Sequence, residues 1–232
     1  PYCHKDTPSS EKKVFNALKY DKNLETKNWI VYHSLNYPVS ILKSKRNSFL
    51  YFGESDFLIL AENVGIINIE VKGGSITCLE GVWRLKSRYE SKILPKSPIK
   101  QAHDTKYNIQ EYIRKKFNRN YPQEYLVIFP DCSLNNISDN IEYSENNIID
   151  TDQFYNNFSQ KISNLVKNLK PGGNIVNLEN EEISKLKKII RPDFETHIKT
   201  STILKDSKDE IYQYTKDQLK VLERLEQEPR LL

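Results

Sequence analysis

Two carboxylates and an ammonium stand where buried strands should carry no charge. The stretch 53–76, GESDFLILAENVGIINIEVKGGSI, holds two apolar runs joined by a few turn-like residues. Asp56 opens the first run, and Glu70 and Lys72 close the second. Residues two apart on a strand share a face, so Ile67, Ile69 and Val71 point one way and Asn68, Glu70 and Lys72 the other. A hairpin centred on Asn63 sets Asp56 directly across from Glu70, because 63 lies midway between 56 and 70. Carboxylates that close repel and raise one pKa unless a cation sits between them. A hard divalent ion is the natural cation, since Mg2+ uses one or two carboxylates plus substrate phosphate. Lys72 beside them is suited to hold an attacking water and to offset phosphate charge. The competing reading is a structural ion pair, which would bury three charges at a cost and without function. Glu11-Lys12-Lys13 and Glu25-Thr26-Lys27 are also Glu-x-Lys triplets but lie on no alternating strand.

The elements that must hold this triplet follow from the apolar pattern. Thr7-Pro8-Ser9-Ser10-Glu11 reads as a helix start, with proline near the first position and small hydroxyl caps around it. WIVYHSL from Trp29 is a β-rich run, followed by a polar loop through Ser48. DFLILA and GIINIEVK form the hairpin, and GGSITCLEGVWRL continues as glycine-punctuated strands. Ser97-Pro98 caps a helix with Ile99, Ala102, Ile109, Ile113 and Phe117 at helical spacing. EYLVIFP is a buried strand, and DQFYNNFSQKISNLVKNL is a helix stopped by Pro171-Gly172-Gly173. NEEISKLKKII is another helix, 191–207 reads as a linker interrupted by Pro192, and 208–228 is a charged helix. Helices and strands alternate around a mixed sheet, so the fold class is α/β.

Composition narrows the setting. The 232 residues are 38% hydrophobic and 28% charged, enough for one sizeable domain with an appendage. No apolar run is long enough to span a bilayer, and no signal-peptide layout opens the chain. Cys3, Cys78 and Cys132 are odd in number and far apart, which points to reduced thiols and a cytoplasmic setting. Cys3-His4 has no second Cys/His pair at metal spacing. The net charge of +4 is too mild to establish a nucleic-acid partner. Basic clusters at Lys43-Lys45-Arg46, Arg84-Lys86-Arg88 and Arg114-Lys115-Lys116-Arg119 read as solvated faces, and the last also suits a helix C-terminus. The chain begins at Pro1 and contains no methionine, which reads as a trimmed piece of a longer protein.

ESDFLIL…GIINIEVKGG, a tryptophan shortly after, and SPIKQA opening a helix together resemble the nuclease-related domain (NERD), a branch of the PD-(D/E)XK nuclease superfamily. The resemblance runs from about Glu11 to Asp131 with its motifs in order. It implies a restriction-endonuclease-like core, a central mixed sheet flanked by helices, with Asp56, Glu70 and Lys72 as the signature triad. Asp56 and Glu70 would hold Mg2+ or Mn2+ together with the carbonyl of Val71, and Lys72 would position or help deprotonate the attacking water. Glu11 matches the acidic residue of the first helix, and Gln101 the glutamine of the helix after the core strands, where backbone N–H groups could help it meet phosphate. The activity implied is metal-dependent hydrolysis of DNA. The alternative is a catalytically inactive DNA-binding module serving an attached motor.

YTKDQLKVLERLEQEPRLL is similar to the glutamine-bearing segment ahead of the Walker A loop in superfamily I helicases. That resemblance places Thr215 and Gln218 in the adenine-contacting pattern. No GxxxxGK[ST] occurs in the chain, so a phosphate cradle is missing. The expected organisation is a nuclease domain over 1–190, a linker over 191–207 and the start of a helicase motor over 208–232, cut before the Gly-rich loop.

Overall fold

The computed structural model describes residues 3–25, 28–39, 51–86, 91–134, 142–169, 175–193, 213 and 215–224. Residues 36–39 of the loop expected through Ser48 instead continue a strand, while its remainder, the Pro171-Gly172-Gly173 stop and most of the expected linker lie outside the described residues. The chain divides into two units, Pro1–Leu186 and Lys187–Leu232.

The first unit is built on a five-stranded mixed sheet flanked by helices, the architecture of a nuclease-like α/β core. Strand β1 (Trp29–Val39) pairs antiparallel with β2 (Tyr51–Ala61), and β2 pairs antiparallel with β3 (Gly65–Val71). A separate antiparallel sheet follows, of β4 (Ser75–Leu79), β5 (Val82–Lys86) and β6 (Ser91–Ile93). After helix α3 (Pro98–Phe117), β7 (Gln123–Ile128) returns parallel to β3, and β8 (Ile148–Ile149) adds parallel to β7. Further helices are α1 (Ser9–Tyr20), α2 (Lys22–Glu25), α4 (Thr151–Lys167) and α5 (Asn180–Ile190).

The middle of the sheet has no wet face. Every residue of β3 is buried, and Phe57 to Ala61 of β2 are fully so. Strands covered on both sides read as continuous apolar runs, which is what FLILA and GII supply. Val14 and Phe15 of α1 and Phe154, Phe158 and Ile162 of α4 pack on Phe57, Ile59, Ile67, Ile69 and Val71. The other face carries Tyr125, Val127 and Phe129 under Ile99 and Ala102 of α3, with Ile76 and Trp83 from the small sheet. Each such side chain contributes about 1.5–3 kcal/mol by leaving water.

Local signals set the boundaries. Asn63 takes a left-handed φ of +57° in the β2–β3 turn, a conformation asparagine tolerates. Gly65 follows with φ +153°, and a Cβ there would lie 2.3 Å from the carbonyl oxygen of Pro122, so only glycine admits the chain leading into β7. Ser97 caps α3 by accepting from the Lys100 N–H at 3.0 Å. At α1 the structure departs from the expected start. Pro8 itself occupies the N-cap, and no side chain caps the helix. The Ser10 hydroxyl is instead buried against Gly73.

Helix α5 is anchored at its first half. Ile183 and Leu186 are buried, and Glu182 pairs with Arg119 at 2.5 Å and accepts a hydrogen bond from Tyr121. Beyond residue 186 no such anchor is described within the first unit. Limited proteolysis should therefore leave a cooperatively folding fragment ending between residues 186 and 190. Mass spectrometry and thermal melting of that fragment check it, and loss of its unfolding transition would contradict the boundary.

Candidate active site

The β2–β3 ladder runs from Ala61 opposite Gly65 to Phe57 opposite Ile69, the register that symmetry about Asn63 implies. Asp56 and Glu70 are the next residues of the two strands beyond the last ladder pair, and the Glu70 charge acts on Asp56. There the side chain replaces the ladder, and the Val71 N–H donates to Asp56 Oδ2 at 2.6 Å. In extended backbone the Val71 carbonyl faces the same edge as its N–H. On the other edge, the Lys72 N–H donates to the Ile128 carbonyl at 3.0 Å, holding Lys72 to the end of β7.

Glu70 lies between β2 and β7 and is only 2% exposed. Lys72 Nζ stands 2.6 Å from Glu70 Oε1, the contact expected of i and i+2 on one strand face. The approach is off the hydrogen-bond direction, so Oε1 is ion-paired yet lacks an aligned donor among the described residues. Burial pushes the half-buried Asp56 carboxyl up to about 8; the Glu70 charge pushes it further and the Val71 N–H opposes. Burial also raises Glu70, against the pull of the Lys72 ammonium.

Glu11, in the first turn of α1, adds a third negative charge that raises both carboxyls. Its Oε2 lies 3.2 Å from Nε2 of the buried His33. The His33 ring stacks on Phe57, its cross-strand partner, with centroids 4.9 Å apart. Helix α1 reaches this position because Gly73 has no side chain, as a Cβ would lie 2.6 Å from Ser10 Oγ. Asp131, just past β7, fastens the same turn. Its Oδ2 accepts from the Gly74 N–H at 2.9 Å, and its Oδ1 accepts from Lys13 Nζ at 2.5 Å.

Asp56, Glu70 and Lys72 thus gather at one end of the β2–β3 hairpin, with Glu11 in electrostatic reach. Gln101, in the first turn of α3, is half-buried and lines an adjoining cleft with Glu54. Among the described residues its side chain makes no hydrogen bond to the carboxylates. Gln218 is exposed on helical residues 215–224 of the second unit. Among the described residues, no three His, Cys, Asp or Glu side chains gather at metal-ligand spacing. The set available to a cation is two carboxylates and one carbonyl. Hard oxygens fit a hard divalent ion, and the unaligned Glu70 oxygen beside the crowded Asp56 marks where positive charge is wanted. Sequence reasoning missed His33 and the Lys13–Asp131–Gly74 latch. The signals available were an aspartate directly after a buried strand and the doubled glycine after Lys72.

Residues 9–130 match the family model described as the nuclease-related domain. The chain belongs to that family. No curated protein and no solved structure matches the chain significantly. Nuclease-related hydrolase chemistry is the coarse function this membership carries. Among the described residues, no helix is long and apolar enough to cross a membrane.

Two predictions test this geometry. Asp131→Ala should lower unfolding stability by about 1–2 kcal/mol, because it leaves Gly74 and Lys13 without their acceptor. Urea unfolding measures it, and combining it with Lys13→Ala should give less than the sum of the two single effects. The second concerns pH. Asp56 holds its proton more tightly folded, to about 8, than unfolded, near 3.8. Between those values the native state binds more protons, so the stability this group contributes is present at low pH and lost as pH rises. With a chelator present, melting temperature should fall from pH 5 to pH 8, and Asp56→Asn should flatten that slope.

Proposed function

We propose that the protein is a Mg2+- or Mn2+-dependent deoxyribonuclease that hydrolyses phosphodiester bonds at the Asp56–Glu70–Lys72 site. The observation that carries the reading is the meeting of the Asp56 and Glu70 carboxyls at adjoining strand ends, both pushed up by burial, with Lys72 Nζ 2.6 Å from Glu70. A divalent ion held by Asp56, Glu70 and the Val71 carbonyl would supply Lewis-acid stabilisation of the phosphate charge. The protein's own part is positioning. The Val71 N–H fixes the Asp56 carboxylate, and the end of β7 fixes the Lys72 backbone. The Lys72 ammonium then orients the attacking water and faces the charge that builds on the phosphate oxygens. Glu11, oriented by His33, lies on the α1 side of the same carboxylates.

The rival reading is a DNA-binding module without chemistry, which would bind with strong salt dependence and leave the strand intact. A metal titration on nicked, linear and single-stranded DNA separates the two. Parent protein should cleave with Mg2+ or Mn2+ and stop when the metal is chelated. Asp56→Ala and Lys72→Ala should each reduce cleavage about 100-fold or more. Undiminished cleavage by either variant would remove the triad assignment.

The second unit fits the same proposal as the leading piece of a nucleotide-driven DNA motor, in which Gln218 would contact adenine. Nucleotide affinity in such motors depends on a Gly-rich loop and its lysine gripping the phosphates, and this sequence holds no such loop. Calorimetry of the 232-residue chain with ATP should therefore show no measurable binding. Micromolar affinity would show that another phosphate site exists.

A further inference from the structure

Beside the carboxylates lies a cleft of about 590 Å³, between the β1–β2 edge and helix α3. Its floor is made by an exchange of volume across two strands. Tyr37 of β1 is the register partner of Gly53 of β2, and its ring lies so close that a Cβ on Gly53 would be 2.4 Å from Cζ. The Tyr37 hydroxyl is tied to Thr105 of α3 at 3.0 Å, which fixes the ring in place. Glu54, which is exposed, also lines the cleft, next to Gly53 and two residues before Asp56. Its charge acts on Glu70, so the cleft and the triad adjoin.

The α3 wall carries two carboxamides. Gln101 and Asn108 both line the cleft, seven residues apart and so on one helix face. Among the described residues, neither side-chain amide has a hydrogen-bond partner. Two turns of helix separate them by about 10 Å. Tyr107 also lines the cleft and is 52% exposed, an aromatic ring at the rim. Lys96 lines the cleft, and it and nearby Lys100 both pair with Asp104, at 2.8 and 3.3 Å, so their two positive charges balance those of Asp104 and Glu54.

We propose that this cleft is a nucleobase subsite, which takes one unpaired base of the DNA strand whose phosphate lies at the carboxylates. The inference rests on the nuclease reading and adds its substrate class, single-stranded DNA or a frayed end. A base is flat, offers donors and acceptors on its edges for carboxamides, and stacks on aromatic rings. Lys96 and Lys100 would face the strand's phosphates. A base inside a duplex has both faces stacked and its pairing edge engaged, so it must be extruded before it can enter.

The test is binding with metal chelated, which keeps it apart from cleavage. A fluorescein-labelled twelve-nucleotide thymidine strand is compared by anisotropy with an abasic strand of the same length and charge. The thymidine strand should bind about tenfold more tightly. Tyr107→Ala and Asn108→Ala should each shrink that ratio towards one while leaving affinity for the abasic strand unchanged. Both side chains lie on the outer part of α3, so folding is checked simply by an unchanged melting temperature. Equal affinity for the two strands overturns the subsite, as does no measurable binding of the thymidine strand, or a ratio that neither variant changes. A parent that cuts DNA yet binds both strands equally loses the subsite and keeps the nuclease. A parent with the base preference but no metal-dependent cutting keeps the subsite and loses the nuclease.

Discussion

Asp56 and Glu70 are pressed together by a ladder that cannot slip. Strand register moves in whole residues, and a shift of one would send every side chain of β2 or β3 to the opposite face. With Phe57 to Ala61 and all of β3 buried, such a shift would drive the hydrophobic side chains of this double-sided core out of their places. Apolar burial at nine positions of the two strands therefore decides where two carboxylates stand, although their mutual repulsion opposes it. The charge is placed at the last step of the ladder, where the Val71 N–H and the Lys72 ammonium can reach it. Deeper in the sheet neither partner would be available, and the desolvation cost would be larger.

Three further contacts convert that pair of strand ends into a site with walls. Gly73 admits α1, Asp131 ties the Gly74 turn to Lys13 of the same helix, and His33 holds Glu11 against the β1–β2 surface. The first two join segments distant in sequence to the residues following Lys72, and the third joins α1 to β1. A lysine on a strand end has four rotatable bonds, and immobilising it costs side-chain entropy of roughly 1.5–2 kcal/mol. The contact with Glu70 restrains the head of that side chain, and the Ile128 carbonyl restrains its backbone.

How much of this could be read from residues alone depends on the range of the interaction. The hairpin was readable because its period of two and its turn at Asn63 are local, and together they fix the register. Helix α3 announced itself through Ser97, Pro98 and an apolar stripe, and the mixed α/β class through the alternation of elements. The extension of β1 to Val39 was less clear, because Pro38 disfavours a strand interior and is tolerated here at the sheet's edge. The separate small sheet was hidden for another reason. Gly-punctuated runs say that strands occur, not which sheet they join. His33 lies on an ordinary-looking strand 22 residues from Glu11, and Asp131 lies 118 residues from Lys13. Pairings of that range leave no periodic trace in the chain.

The buried amide of Asn68 shows the same economy of placement. Its Oδ1 has no partner among the described residues, and it shares a strand face with Glu70, two residues away. Apolar side chains would pack that layer at lower cost, as they do at Leu58 and Leu60 on the neighbouring strand. Polar groups therefore run inward from the site along one face of β3, next to a strand that is apolar at the same depth. A sheet selected for stability alone would not keep this line. The Asn68 amide is held in that layer through its Nδ2, which donates to the Glu124 carbonyl of β7 at 3.5 Å. The native state then carries unmet polar demand at the site, while the apolar layer on the α1 and α4 side keeps the molecule folded.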